Sequence, residues 1–159
     1  TLSGCIPQGD ETVNTELFKN KQDVAQRTQH LHHGMSKKSV FAELRVNPDR
    51  FDRMSTQEVQ MAVYGNSQVH GTPEQLEAFR RRLAAYEGYS LPYRNIKADG
   101  TLGFGKMKIT KSGCDLHLVL VFDHGRLIRA TVEGTQSLKQ VQDENLWPSL
   151  IRRGLGFAL

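Results

Sequence analysis

The sequence predicts an α+β fold, with helices packed on one face of a three- or four-stranded antiparallel β-meander. Apolar residues at helical spacing and helix-capping signals fill the first half of the chain, up to about Gly88. Alternating apolar residues and glycine-containing turn pairs fill the second half. The 159 residues, of which 38% are hydrophobic, are enough for one domain with a modest core.

Four helices are predicted in the first half. The first covers about residues 15–33, where apolar side chains recur near one face. "GMSKKSVFAEL" predicts a second helix capped by Ser36, and "MSTQEVQMAVYGN" a third whose capping box starts at Ser55. "GTPEQLEAFRRRLAAYEG" predicts a fourth helix, capped by Thr72 and ended by Gly88.

Four strands are predicted after the helices. They cover residues 89–97, 102–110, 115–123 and 126–133, separated by turn pairs at 99–100, 112–113 and 124–125. The last pair predicts a two-residue hairpin turn. It sets Asp123 opposite Arg126. Pairing then continues one residue at a time, so that the predicted pairs include Phe122–Leu127, Val121–Ile128, Leu120–Arg129, Val119–Ala130, Leu118–Thr131 and His117–Val132.

Both faces of this last hairpin carry apolar side chains. The face with Val119, Val121 and Ile128 is the predicted core face. One helical layer covers only one face of a sheet, so the opposite face needs another cover, either the C-terminal tail or a partner protein. The predicted partner-binding residues of that hairpin are Leu118, Leu120, Phe122, Leu127 and Arg129.

The last part of the chain, residues 135–159, is predicted to be an apolar docking tail. Its sequence "LWPSLIRRGLGFAL" is rich in apolar side chains, while its glycines and proline disfavour a long regular helix. Such a segment docks either on its own domain or on a neighbour. The predicted partner-binding residues of the tail are Trp147, Leu150, Ile151 and Phe157.

The chain opens with "TLSGC", which contains the Leu-Ser-Gly-Cys pattern that marks a bacterial cysteine for lipid attachment. A polar stretch follows it. We therefore interpret residues 1–16 as a leader remnant and polar tether, Cys5 as a lipid anchor, and residues 17–134 as the folded domain. If Cys5 is not lipidated, an oxidising compartment could pair it with Cys114.

Other motifs are interpreted as structural. "HLHH" places His30 and His33 on one helix face, but two imidazoles leave a zinc site short of ligands. "GFGKMK" lacks the spacing of a phosphate loop. No nucleophile, base and orienting residue converge, so no catalytic residue, metal site or cofactor is predicted apart from an acyl lipid on Cys5. A metal-dependent enzyme around His30–His33 is kept as an alternative.

A basic surface offers a second alternative, a soluble nucleic-acid-binding module. The net charge is +4, and no aromatic residues are interleaved with the basic ones as a base-stacking platform would require. A solvated face is therefore the favoured interpretation. The basic residues concerned are Arg80, Arg81, Arg82, Lys106, Lys108, Lys111, Arg152 and Arg153.

Together these features resemble the SmpA/OmlA family of small outer-membrane lipoproteins. The resemblance covers residues 34–134 and is carried by Gly34-Met35-Ser36 at a helix start and by Phe122, Gly125 and Leu127 in the last hairpin. The chain departs from the family in its extra helix, in its apolar tail and in having Gly65-Asn66-Ser67 where the family has Gly-x-Pro.

The resemblance implies a periplasm-facing protein anchored through Cys5 to the inner leaflet of the outer membrane. It further implies a non-catalytic scaffold that binds envelope proteins in a multi-subunit complex. The extra helix and tail favour a secretion-system core, and accessory service in β-barrel assembly is the alternative.

Overall fold

A computed structural model describes residues 9–103 and 105–145 of the protein. The four predicted helices are present, and all four are short. They are α1 (Lys21–Gln29), α2 (Lys37–Leu44), α3 (Thr56–Tyr64) and α4 (Pro73–Ala84), with a 3₁₀ turn at Pro48–Arg50.

Three of these helices begin at the predicted N-cap residues. The Ser36 hydroxyl accepts from the Ser39 amide at the start of α2. Capping boxes begin at Ser55 and Thr72. The first helix is shorter than predicted, because Asn20 caps it and it begins at Lys21. The fourth ends at Ala84 rather than at Gly88, because the following residues already belong to a strand.

The second half forms a three-stranded antiparallel meander, which confirms the α+β class. Its long strands are β3 (Tyr86–Gly103), β4 (Lys106–Asp123) and β5 (Arg126–Asn145). Two short strands, β1 (Glu11–Val13) and β2 (Asp52–Arg53), pair with β3. The sheet order is β1-β3-β4-β5, so β5 lies at an edge.

Two of the three predicted turns are wrong, because β3 and β4 run through them. Gly113 has φ +148, and a Cβ there would meet the backbone oxygen of Asn95 at 1.9 Å. This glycine therefore serves a close approach of two strands rather than a turn. Gly100 likewise pairs with Ile109 inside the β3–β4 ladder. The turn at His124-Gly125 is confirmed, with positive φ at both residues.

The predicted register of the last hairpin holds for only two pairs. Asp123 pairs with Arg126 and Phe122 with Leu127, but Val121 pairs with Arg129. Ile128 is thus the extra residue of a β-bulge. The other predicted pairs are wrong by one residue, since beyond the bulge Leu120 pairs with Ala130, Val119 with Thr131, Leu118 with Val132 and His117 with Glu133.

Helices cover both faces of the meander rather than one. The face with Leu118, Leu120 and Phe122, here the major face, packs against α1 and α2. The opposite or minor face, with Val119 and Val121, packs against α3 and α4 through Val59 and Leu83. The larger core is therefore on the face that the sequence analysis left uncovered. The reason is that the helices form two pairs, and each pair takes one face.

The sheet is longer than the helical layers. We call residues 86–96, 113–123 and 126–137 the proximal sheet and residues 97–103, 106–112 and 138–145 the distal sheet. Each distal strand adds about 20 Å. The sheet thus continues past the predicted domain end at residue 134 into the segment assigned to the tail, and β1 lies within the segment assigned to the tether.

Candidate protein-binding site

Four of the predicted partner-binding side chains are core residues. Leu118, Leu120, Phe122 and Leu127 are each at most 2% exposed. The Phe122 ring lies 5.8 Å from Tyr89 and 6.0 Å from Phe41, between centroids. Such side chains cannot form an exposed docking surface in the folded domain, so this prediction is corrected. The bulge places Arg129 on the minor face, where it is exposed.

The remaining predicted site residues lie outside the described part of the chain. They are the anchor residue Cys5 and the tail residues Trp147, Leu150, Ile151 and Phe157. Cys114, the other cysteine, is buried in the major-face core.

A groove of about 490 Å³ opens on the minor face between α3 and the sheet. Met54, Met61 and Val119 give it an apolar lining, and Met61 is 47% exposed. His117 and Glu133, a cross-strand pair, lie on its sheet side. No pattern in the sequence indicates this groove, because it exists only once α3 packs on the minor face.

The distal sheet exposes apolar side chains. Leu102 is 75% exposed and Val141 is 54% exposed, the two highest values among the large hydrophobic residues of the described chain. The register places Leu102 on the continuation of the minor face and Val141 on that of the major face, so each face of the distal sheet has one strongly exposed apolar side chain. Contiguous exposed apolar patches, rather than single residues, are typical of surfaces that bind other proteins. This surface was also missed, because Gly100 and Gly113 were interpreted as turns that break the strands.

The two faces of the distal sheet differ in chemistry. Side chains alternate along each strand, and the paired residues of neighbouring strands share a face. The continuation of the minor face carries mostly apolar side chains, of which Leu102 is exposed and Ile109 is buried. The continuation of the major face carries lysines and the exposed Val141, with Asp99 as its one acidic residue among side chains the structure describes. The basic residues are Lys97, Lys106, Lys108 and Lys139, and the apolar ones are Ala98, Leu102, Met107, Ile109 and Leu138.

Within the described residues, other segments of the chain contact the outer edge of β5 near its start and at Gln136. The Gly34 amide donates to the carbonyl of Leu127 over 2.7 Å, and the Leu127 amide donates to Met35 over 2.8 Å. Further along, the Lys21 ammonium donates to the carbonyl of Gln136 over 3.0 Å. Beyond Gln136, no strand within residues 9–103 and 105–145 pairs with this edge.

An ionic cluster connects α2 and β2 to the proximal sheet. Lys37 and Arg53 both donate to Glu87, and both also donate to the Tyr89 hydroxyl, over 3.2 and 2.5 Å. The hydrogen bond from Lys37 lowers the pKa of Glu87, and the same bond raises the pKa of Lys37. The Arg53 guanidinium also stacks 4.6 Å from the centre of the Tyr89 ring. The cluster therefore stabilises the proximal domain, which is the proximal sheet together with the helices packed on it.

A second ionic network separates the minor-face core from the distal sheet. Arg94 contacts Asp115 at 3.2 Å and Glu11 at 3.8 Å, and Lys111 contacts Glu11 at 3.5 Å. All four residues lie on the minor face, which confirms that side-chain alternation continues across Gly113. The network therefore marks the border at which the helix-covered sheet ends.

The motifs of the two alternative functions lie on the surface. His30 contacts Glu43 at 2.8 Å, while His32 and His33 are exposed. Within the described residues no three metal-ligating side chains converge. Arg80, Arg81 and Arg82 are exposed on α4, and Arg81 lies 3.8 Å from Glu77.

Comparison with known protein families, characterised proteins and solved structures found no match. None of the helices in the described part of the chain is both long and apolar enough to cross a membrane. The resemblance to the SmpA/OmlA family therefore stays a prediction.

Proposed function

We propose that this protein is a bacterial outer-membrane lipoprotein that acts as a non-catalytic scaffold in a multi-subunit envelope complex. The observation that carries the proposal is the distal sheet, which extends past both helical layers and exposes Leu102 and Val141. A sheet of this kind buries its apolar side chains when another protein covers it.

The anchor part of the proposal rests on the Leu-Ser-Gly-Cys motif. Acyl chains on Cys5 would hold the protein at the inner leaflet of the outer membrane, since each buried methylene contributes about 0.8 kcal/mol. The folded domain would then present its distal sheet to periplasmic parts of the complex. Of the two envelope complexes considered, a secretion-system core is the preferred one and the β-barrel assembly machinery is the alternative.

Mass spectrometry of the membrane-extracted protein tests the anchor. The expected result is an added diacylglyceryl mass on Cys5 and its loss in Cys5→Ser. An unmodified cysteine in the native membrane protein would overturn the anchor.

Site-specific photocrosslinking in the native envelope tests the scaffold. A photoreactive residue at position 102 or 141 should crosslink to an envelope protein. The same residue at Ala78, which is exposed on α4 of the proximal domain, is the matched control and should not. Equal crosslinking from all three positions would contradict a binding surface on the distal sheet. The crosslinked protein identifies which of the two complexes is involved.

A further inference from the structure

We propose that the outer edge of β5 over residues 137–141 binds an extended strand of a partner protein, in which acidic and apolar side chains alternate. This inference deepens the proposed scaffold function and rests on it. It names the chemistry of the segment that the distal sheet would bind.

The edge itself selects an extended strand. A strand at the edge of a sheet presents a row of backbone N–H and C=O groups that only another extended backbone pairs in full. The protein already uses this edge once, because residues 34–37 pair with residues 125–127. At Gln136 the Lys21 ammonium occupies an edge carbonyl. Among the residues that the structure describes, nothing pairs with the edge past that point, and this is the part proposed to bind a partner.

Lys139 is the one residue of this stretch whose type protects an edge, and an acidic partner would neutralise its charge. Natural edges are protected by prolines, by charged side chains, especially lysine, by bulges or by covering elements. Residues 137–141 read Ser-Leu-Lys-Gln-Val, with one charge and no proline, and all are exposed except the half-buried Leu138. The ladder between β5 and β4 is irregular between Thr135 and Leu138 and is regular again from Leu138 onward.

The two faces of the distal sheet set the side-chain pattern of the incoming strand. On the basic face, Lys139 on β5 lies in the row of Ser112 and Lys97, while Lys108 and Lys106 lie on the same face four and six residues further along β4. A carboxylate on an added strand would lie next to Lys139 and gain a favourable cross-strand charge pair. On the opposite face Leu138 lies at the same edge, so an apolar side chain fits there. Alternation along the strand delivers both at once.

Two other occupants fit less well. A second copy paired through β5 in antiparallel fashion would join two lysine-bearing faces on one side of the combined sheet, and like charges in neighbouring strands are destabilising. Single-stranded nucleic acid would find lysines, but none of the described residues on the basic distal face is aromatic, so bases have nothing to stack on.

A labelled peptide that alternates glutamate and valine tests the proposal on the whole protein. Fluorescence anisotropy should show saturable binding. The same peptide with alternate N-methylated amides, which cannot form the edge hydrogen bonds, should bind at least about tenfold more weakly. Hydrogen exchange should slow at backbone amides of residues 137–141 when the unmodified peptide binds. Equal binding of the N-methylated peptide would overturn strand addition.

Charge exchange tests the proposed register. Lys139→Glu should weaken binding of the glutamate–valine peptide about fivefold or more, and a lysine–valine peptide should bind this variant better than it binds the parent. Lys38→Glu, an exposed lysine on α2, is the matched control and should change nothing. Because Lys139 is exposed, circular dichroism should show an unchanged fold. Loss of binding in both variants alike would overturn the assignment to this edge.

Two further measurements test the two alternative occupants of the edge, a second copy of the protein and single-stranded nucleic acid. Sedimentation of the parent protein should show a monomer, and a dimer that Lys139→Glu alters would overturn the proposal in favour of a second copy. Competition by a single-stranded oligonucleotide at the same edge would overturn it in favour of nucleic acid. Failure of strand addition leaves the scaffold testable, since the Cys5 mass and the crosslinks from positions 102 and 141 are read independently.

Discussion

The proximal and distal parts of the sheet are built from the same three strands, yet they are held in place differently. In the proximal sheet, helices pack on both faces, and Leu120, Val121 and Phe122 are completely buried. In the distal sheet the strands keep their pairing, while Leu102 and Val141 stay largely exposed. A hydrogen-bonded ladder can thus extend a sheet beyond its core, and exposed apolar side chains on the extension, such as Leu102, are then left without a cover in the described chain.

Removing a buried ring from the proximal sheet should give the largest difference between the two regions. Phe122→Ala leaves a cavity among Phe41, Tyr89 and the major-face leucines, and should lower the free energy of unfolding by about 3–5 kcal/mol. Leu102→Ala in the distal sheet is the matched control and should change it by less than about 0.5 kcal/mol. Denaturant unfolding followed by circular dichroism measures both. Similar losses in the two variants would show that the distal sheet is as tightly packed as the proximal one.

A second change tests whether the minor face is truly covered. Leu83 on α4 is 5% exposed and packs in the minor-face core with Val121. Leu83→Ala should cost about 2–5 kcal/mol of unfolding free energy. Leu76→Ala on the same helix, where the side chain is only half-buried, should cost less. If both substitutions were neutral, α4 would not be part of the proximal core.

The border between the two regions can be loosened at Gly113. An alanine there takes up a strained φ and brings its Cβ to 1.9 Å from the Asn95 carbonyl oxygen, which should cost about 1–3 kcal/mol. Hydrogen exchange should quicken first in the distal strands. Gly100→Ala is the control, because a Cβ at Gly100 meets nothing within 4 Å. Equal effects at the two glycines would argue against a close strand approach at Gly113.

The smallest effect is expected from the ionic cluster of the proximal domain. The pKa of Glu87 is lowered in the folded protein, so its carboxylate stabilises the fold above the usual value of 4.5, and that contribution is lost as the pH falls below it. The pKa of Lys37 is raised, so its contribution is present below 10.5 and is lost as the pH rises past that value. Both side chains are about one-third exposed, and solvent screening limits the pair to about 0.2–1 kcal/mol.

A double-mutant cycle of Lys37→Met and Glu87→Gln at pH 3, 7 and 11 measures this coupling. The coupling should be largest at pH 7 and smaller at both extremes. A coupling that is independent of pH would contradict an ionic origin.

About half of the architecture could be predicted from local signals. Ser36, Ser55 and Thr72 start helices as predicted, because capping depends on a few neighbouring residues. The turn at His124-Gly125 has the same local character. The register beyond it could not be predicted, since the turn residues do not indicate the bulge at Ile128, whose side chain packs against the minor-face core.

Less of the candidate site than of the fold could be predicted from the sequence. The apolar alternation of Leu118, Leu120 and Phe122 identified important residues, but alternation does not say what covers a face. The alternating side chains of Lys106–Thr110 weakly indicate the distal sheet. The glycines at 100 and 113 outweighed this pattern, because each was interpreted as part of a turn that ends a strand.

The fold class, the starts of three helices and the last hairpin turn can all be predicted from the sequence, because those features depend on interactions between near neighbours. Only the tertiary structure shows that the two helix pairs pack on opposite faces of the sheet and that the strands extend beyond both pairs. It also shows that, within the described sheet, no strand pairs with the edge of β5 past Gln136. These features depend on contacts between residues far apart in the chain, where packing and strand register outweigh local preference.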